Sequence, residues 1–154
     1  MNIQSHILTC DRHNKHFSWS IKKMADFMPM TGDRFNQLSE EEFAVLEVFS
    51  TRFGKLQDAL GTKVFPAILE LTQEPGVYPI FIDKLNRLEK MGAIPSSLEW
   101  QNFRKIRNQF AHEYPDDPDL NASLLNLAYE QGKVLQQAFL HVKKFICEKI
   151  SKKR

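Results

Sequence analysis

The chain has 154 residues, a formal net charge of +2, and 42% hydrophobic and 26% charged side chains, which suits one globular domain with a substantial core and excludes a disordered segment. No apolar run is long enough to cross a bilayer, and an amino terminus with His6, Asp11, Arg12 and His13 lacks a signal-peptide core. The expectation is a cytoplasmic protein with no membrane partner, whose net charge is too small to announce nucleic acid by itself.

In chain order, the first predicted helix runs over 3–28, with apolar or near-apolar positions at Ile3, Ile7, Cys10, Phe17, Ile21, Met24 and Met28 at three-four spacing. Pro29 stops it, and a loop follows over 30–38. Ser39 with Glu42 three residues on forms a capping box, flanked by Leu38 and Phe43 at the hydrophobic-staple positions. The helix they open buries Leu46, Phe49, Phe53, Leu56 and Leu60, continuing as Val64, Ile68 and Leu71. Gly61 and Pro66 interrupt it, and an interior proline both removes a hydrogen bond and clashes with the preceding turn. A kink or split is therefore expected between them. Gln57, Asp58 and Lys63 lie along the polar edge, as solvated residues first and cleft candidates second.

Pro75 and Gly76 mark a turn, and Pro79 fits the first turn of a short helix with Ile82, Leu85, Leu88 and Met91, closed by Gly92 with Pro95 beyond. Ser96 and Glu99 offer a second capping box. It opens a helix with Trp100, Phe103, Ile106 and Phe110 on its inner face, expected to end near Glu113 because Tyr114 precedes Pro115. Pro118 opens the last helix, whose stripe is Leu120, Leu124, Leu127, Val134, Ala138, Val142, Phe145 and Ile150. No strand-like alternation competes. The sequence thus predicts one all-α domain over 1–154, a mostly up-and-down bundle of four principal helices plus one short helix.

The two cysteines, Cys10 and Cys147, have no ligand spacing and read as reduced packing thiols. His13 and His16 are three apart but lack companion ligands, so neither a metal nor another cofactor is expected. Arg104, Lys105 and Arg107 form one local basic cluster, while Lys143, Lys144, Lys149, Lys152, Lys153 and Arg154 make the carboxyl end basic, as suits a helix terminus. Asp116, Asp117 and Asp119 oppose any broad basic surface near the first cluster.

The most informative stretch is Arg107-Asn108-Gln109-Phe110-Ala111-His112-Glu113-Tyr114. It gathers a permanent cation, an amide, a titratable imidazole and a phenol within about two helical turns. On a continuous helix Arg104, Asn108 and His112 fall in one line, pointing away from the apolar stripe, and the long Arg107 side chain can swing toward the same spot. Such a face can bind phosphate and move protons.

The pattern R-N-x-x-x-H-x-Y at the end of a bundle helix resembles the signature of the HEPN superfamily, and most closely its HepT-type toxins, which are paired with a minimal nucleotidyltransferase antitoxin. The resemblance implies a metal-independent endoribonuclease acting as a homodimer. Carried over, Arg107 and His112 are the catalytic pair, Asn108 is the polar residue beside the arginine, and Tyr114 is the hydroxyl that the nucleotidyltransferase adenylylates; Arg104, from its place in the helical line and the basic cluster, is expected to support RNA binding. One position departs: Glu113 stands between His112 and Tyr114, where such proteins often have a small residue.

The chemistry is consistent with those assignments. Metal-free RNA cleavage needs a base for the 2′-hydroxyl proton, an acid for the leaving oxygen and positive charge on the phosphate; His112 can exchange protons and Arg107 can hold two phosphate oxygens. One histidine cannot fill both proton-transfer roles at once, and a two-fold dimer would supply the second. Two other readings stand beside it. One is a non-catalytic HEPN subunit that binds substrate or partner for a nucleotidyltransferase. The other is a structural interaction bundle in which Arg107 and Tyr114 merely stabilise a dimer.

Overall fold

The computed structural model describes residues 2–72, 80–110, 112 and 114–150. Among these every regular element is helical: α1 (Ile3–Met24), α2 (Gly32–Asn36), α3 (Glu40–Ala59), a π turn (Leu60–Val64), α4 (Phe65–Leu71), α5 (Phe81–Met91), α6 (Ser97–Gln109) and α7 (Pro118–Lys149). The expectations placed on Pro75, Gly76, Pro79, Glu113, Lys152, Lys153 and Arg154 lie outside the described residues.

Side-chain pairings fix the direction of each long helix. His13 meets Arg52 while Phe17 stacks on Phe49, so α1 and α3 run antiparallel. Phe110 packs on Phe49, Phe103 on Phe53 and Trp100 on Phe65, so α6 is antiparallel to α3 and its continuation. Lys143 reaches Asp11 while Gln136 reaches Asn14 and Ser18, which makes α7 antiparallel to α1. The result is an all-α bundle in which α1, α3 with α4, α6 and α7 are the long members.

Its centre is aromatic. Phe17, Phe49, Phe53, Phe103 and Trp100 are almost wholly buried, and neighbouring rings meet edge-on or offset at centroid distances of 5.2–6.5 Å. Each such pair adds about 0.5–1.5 kcal/mol to the burial of its area. Room for the rings comes from Gly132 of α7, where an added Cβ would lie 3.0 Å from Phe17 and 3.1 Å from Phe49.

That packing explains why the apolar stripe of α7 differs from the one its leucines suggest. The expected Ala138, Val142, Phe145 and Ile150 are buried, but the rest of the core face is made by Ala122, Ala128, Tyr129, Gly132, Leu135, Phe139 and Ile146, whereas Leu120 and Leu127 are 37% and 48% exposed. At Gly132 only a small residue fits beside Phe17 and Phe49, and Leu120 and Leu127 are turned outward while Leu135 and Phe139 stay in the core.

Several boundaries follow local chemistry. The Ser39 capping box forms in full, with Ser39 Oγ accepting from Glu42 N–H and Glu42 Oε1 accepting from Ser39 N–H. At Ser96 only half of the second box is made. Its hydroxyl accepts from Glu99 N–H, while Glu89 of α5, at 2.7 Å, accepts from Ser97 N–H. Gly92 closes α5 at φ +89°, the left-handed cap a glycine adopts without strain. Helix α1 stops at Met24, before Pro29, in a turn that buries Phe27 and Met30. The expected loop after it contains α2, capped by Thr31 and pinned to α7 where Asn126 exchanges two hydrogen bonds with the Met30 backbone.

The interruption between Gly61 and Pro66 is a π turn. Phe65 N–H reaches back to Leu60 C=O, five residues away, and Pro66 begins the next α register. Widening the helix by one residue accommodates a ring that cannot donate. Thr62 Oγ1 donates to the Asp58 carbonyl at 2.7 Å, tying the backbone just before the turn. Gln57, expected on the polar edge, is buried at 5% exposure, whereas Lys63 is exposed.

Candidate functional site

Helix α6 ends at Gln109, three residues before His112, with Phe110 as its cap. His112 N–H still bonds Gln109 C=O at 3.1 Å, but as a tightening turn. The single helical line through Arg104, Asn108 and His112 is therefore broken. Phe110 is drawn in against Phe49 and Phe53, at ring distances of 6.3 and 5.3 Å.

The four polar residues of the stretch take separate stations. Arg104 leaves the site side and lies over the Phe81 ring of α5, 4.5 Å from its centroid, a cation–π contact. Asn108 is exposed on α6. Arg107 reaches α3: its stem passes Gly54, where an added Cβ would sit 3.6 Å from Arg107 Cγ, and Nη2 donates to Asp58 Oδ2 at 2.8 Å. Both side chains of this pair are nearly half exposed, at 42% and 46%. One donor is committed to Asp58, and the guanidinium keeps further N–H groups for an anion.

His112 is exposed and Tyr114 half-buried, and both line a groove of about 570 Å³. Its apolar wall is Phe35 of α2, Phe43 and Leu46 of α3, Phe110, and Leu124 with Leu125 of α7. Glu47, Ser50, Gln109 and Asn121 supply polar groups. Tyr114 is held by its backbone, since its carbonyl accepts from Asn121 Nδ2 at 2.9 Å and from Asp117 N–H at 3.0 Å. Asp117 in turn caps α7 by accepting from Leu120 N–H, so one of the opposing acids has a structural role.

One edge of α3 connects these pieces. Glu47, Ser50, Gly54 and Asp58 follow one another at helical three-four spacing; the first two face the His112 groove and the last two face Arg107. Ser50 and Gly54 are four residues apart, about 6 Å along the axis. One edge of α3 thus runs from the groove that His112 lines to the carboxylate that holds Arg107.

Asp58 is the residue whose importance the chain alone understates. In the sequence it is a solvated polar-edge position first, and only the approach of α6 shows that it holds Arg107. Glu47 and Ser50 gave no signal either, although their spacing from Gly54 and Asp58 marks a common helical edge. Among the described residues no group of three His, Cys, Asp or Glu side chains is placed to hold a metal ion. Cys10 is buried and Cys147 exposed, both as free thiols, so only the first packs in the core. Burial, then the Asp11 carboxylate, pushes the Cys10 thiol up to about 12. No helix among the described residues is long and apolar enough to cross a membrane. No protein-family model matches the chain, and comparison with curated proteins and with solved structures finds no match.

Proposed function

We propose that this protein is a metal-independent endoribonuclease of HEPN type, similar to HepT toxins, working as a homodimer and restrained by a minimal nucleotidyltransferase. The observation that supports it most is the single edge of α3 that runs from Asp58, which holds the half-exposed Arg107, to Glu47 and Ser50 in the groove lined by the exposed His112. Arg107 would bind the phosphate through its free N–H groups and stabilise the crowded transition state. His112 from one protomer would take the 2′-hydroxyl proton, and the partner's copy would protonate the departing 5′-oxygen, leaving a cyclic phosphate. Asn108, exposed one residue beyond Arg107, would contact the same phosphate. Arg104 is given up to Phe81 and serves at most to steer RNA.

A dimer is favoured by the outward leucines of α7. Leu120, Leu124 and Leu127 follow a four-three spacing, two of them well exposed, beside the groove that holds His112. Burying such a stripe against its symmetry mate would bring two grooves together.

Tyr114 lines that groove, so transfer of a nucleoside monophosphate to its hydroxyl, with loss of pyrophosphate from the nucleoside triphosphate, would place bulk and negative charge beside His112. Mass spectrometry after co-expression with a nucleotidyltransferase checks this, and an unmodified Tyr114 counts against that mode of control.

The decisive test is digestion of a structured RNA by purified protein in excess chelator. His112→Ala should abolish cutting with helicity intact; undiminished cutting by that variant refutes the assignment. The apolar wall of the groove favours one second reading, a non-catalytic subunit whose groove seats a nucleotidyltransferase partner. It predicts no toxicity on expression and no cutting, but retained complex formation.

A further inference from the structure

Outside the Arg107 site, the face shared by α1 and the second half of α3 concentrates cations. Arg52 Nη1 lies 2.9 Å from His13 Nδ1. A guanidinium only donates, so the imidazole must accept through Nδ1 and place its proton on Nε2. Around this pair stand Arg12 and His16 on α1 and Lys55 on α3, the first two and the lysine exposed. Burial of His13, followed by Arg52, Lys55, Arg12 and His16, holds the imidazole below its ordinary protonation range, and among the described residues no carboxylate opposes that shift. The one acid of α1, Asp11, is on the opposite flank and engaged with Lys143 of α7 at 2.7 Å, and Asp58 is engaged with Arg107. Lys63 of the π turn is exposed and adds no acid.

Like charges gathered without a counter-charge stay together at an electrostatic cost, which a bound anion would remove. The cluster is also placed usefully. Arg52 and Lys55 share α3 with Gly54 and Asp58, the residues against which Arg107 lies, and Lys55 stands three residues from Asp58, about 4.5 Å along the axis.

We propose that this α1 and α3 face is a phosphate subsite, which receives the backbone of single-stranded RNA next to the Arg107 site. Arg12, Arg52 and Lys55 engage the phosphate oxygens, and His13 Nε2–H is available as a further donor. The inference rests on the ribonuclease reading for its ligand but not on cleavage.

The test is fluorescence anisotropy of a 2′-O-methyl RNA oligomer, which cannot be cut through its 2′ position, titrated with the full chain over a range of salt. The double variant Arg12→Gln/Lys55→Gln, both at exposed positions, should bind about tenfold or more weakly, with a salt slope shallower by about 1.5, since each neutralised single-strand phosphate contributes roughly 0.7. Lys22→Gln/Lys23→Gln removes the same charge from the carboxyl end of α1 and should cost clearly less. Equal losses in the two variants, or wild-type binding by the first, overturn the subsite. In the wild type, the oligomer should also raise the NMR titration midpoint of the His13 ring protons, and an unmoved midpoint counts equally against it. If the wild type binds through this face yet His112→Ala cuts RNA as well as wild type, the catalytic assignment falls and the subsite stands. Cutting by wild type with binding insensitive to the first double variant gives the converse, and failure of the wild type to bind the oligomer overturns the subsite outright.

Discussion

Asp58→Ala removes the carboxylate that holds Arg107 against α3, and it separates a positioning role from a structural one. The pair is short, 2.8 Å, but its side chains are 42% and 46% exposed, so solvent screens it and its contribution to stability is about 0–1 kcal/mol. For a chain of this size 1 kcal/mol corresponds to about 2–4 °C in Tm. The melting temperature should therefore fall by no more than about 4 °C. Cutting should suffer far more, because a guanidinium released from Asp58 spreads over several rotamers; a roughly 10- to 100-fold fall in kcat is expected from lost orientation. KM should stay level or drop, since an anion beside the phosphate path has been removed. Asp58→Asn keeps an oxygen to accept from Nη2 and should recover much of kcat while showing the same KM as the alanine variant. Calorimetry and steady-state cutting of a labelled RNA in chelator provide the readouts. An unchanged kcat in Asp58→Ala, or a Tm loss beyond about 8 °C, would refute the positioning argument.

Three further outcomes are expected. Gly54→Ala and Gly132→Ala should have opposite signs in urea denaturation: the new Cβ meets Arg107 at an ordinary 3.6 Å in the first case, leaving a helix-propensity gain of about 0.5–1 kcal/mol. In the second it enters the Phe17 and Phe49 rings at 3.0 and 3.1 Å, where overpacking costs about 1–3 kcal/mol; stabilisation by both would contradict the packing described. Leu127→Asp should turn a dimer into a monomer by size-exclusion chromatography with light scattering while leaving the helical CD spectrum unchanged, and a persistent dimer would place the interface elsewhere. The depressed protonation range of His13 means that the unfolded chain takes up that proton first as pH falls. Its stabilising contribution is complete above the ordinary histidine value of about 6.5 and is lost on acidification below it. Arg52→Gln lifts part of the depression, so its urea midpoint should fall less between pH 7.5 and 5.5 than that of the wild type, and parallel losses would show that the two groups are uncoupled.

Much of the bundle was readable along the chain, because its signals are local. The three-four apolar repeat, the Ser39 and Glu42 box, Gly92 as a left-handed cap and the break demanded by Pro66 each depend on residues within about one turn of one another, and each appears where expected. The same logic failed where a distant element decided the outcome. Leu120 and Leu127 look like core residues until Phe17 and Phe49 are seen to close on Gly132 and the buried face of α7 is seen to run through Ala128, Gly132, Leu135 and Phe139 instead. The helix expected to run on to Glu113 ends at Gln109, although Phe110 packs on Phe49 and Phe53 from the inner face where the apolar repeat puts it.

For the site, the chain by itself determined which functional groups are available and that they arrive together at the end of one helix, since that follows from residue type and spacing. The tertiary structure alone decided where each group is held: Arg104 by Phe81, Arg107 by Asp58, and Tyr114 by Asn121. It also decided that His13 and Arg52 meet within a cluster of cations. Those partners lie from seven to 49 positions away in the chain. Contacts at such separations arise from the packing of whole helices and leave no periodic trace in the residues between them.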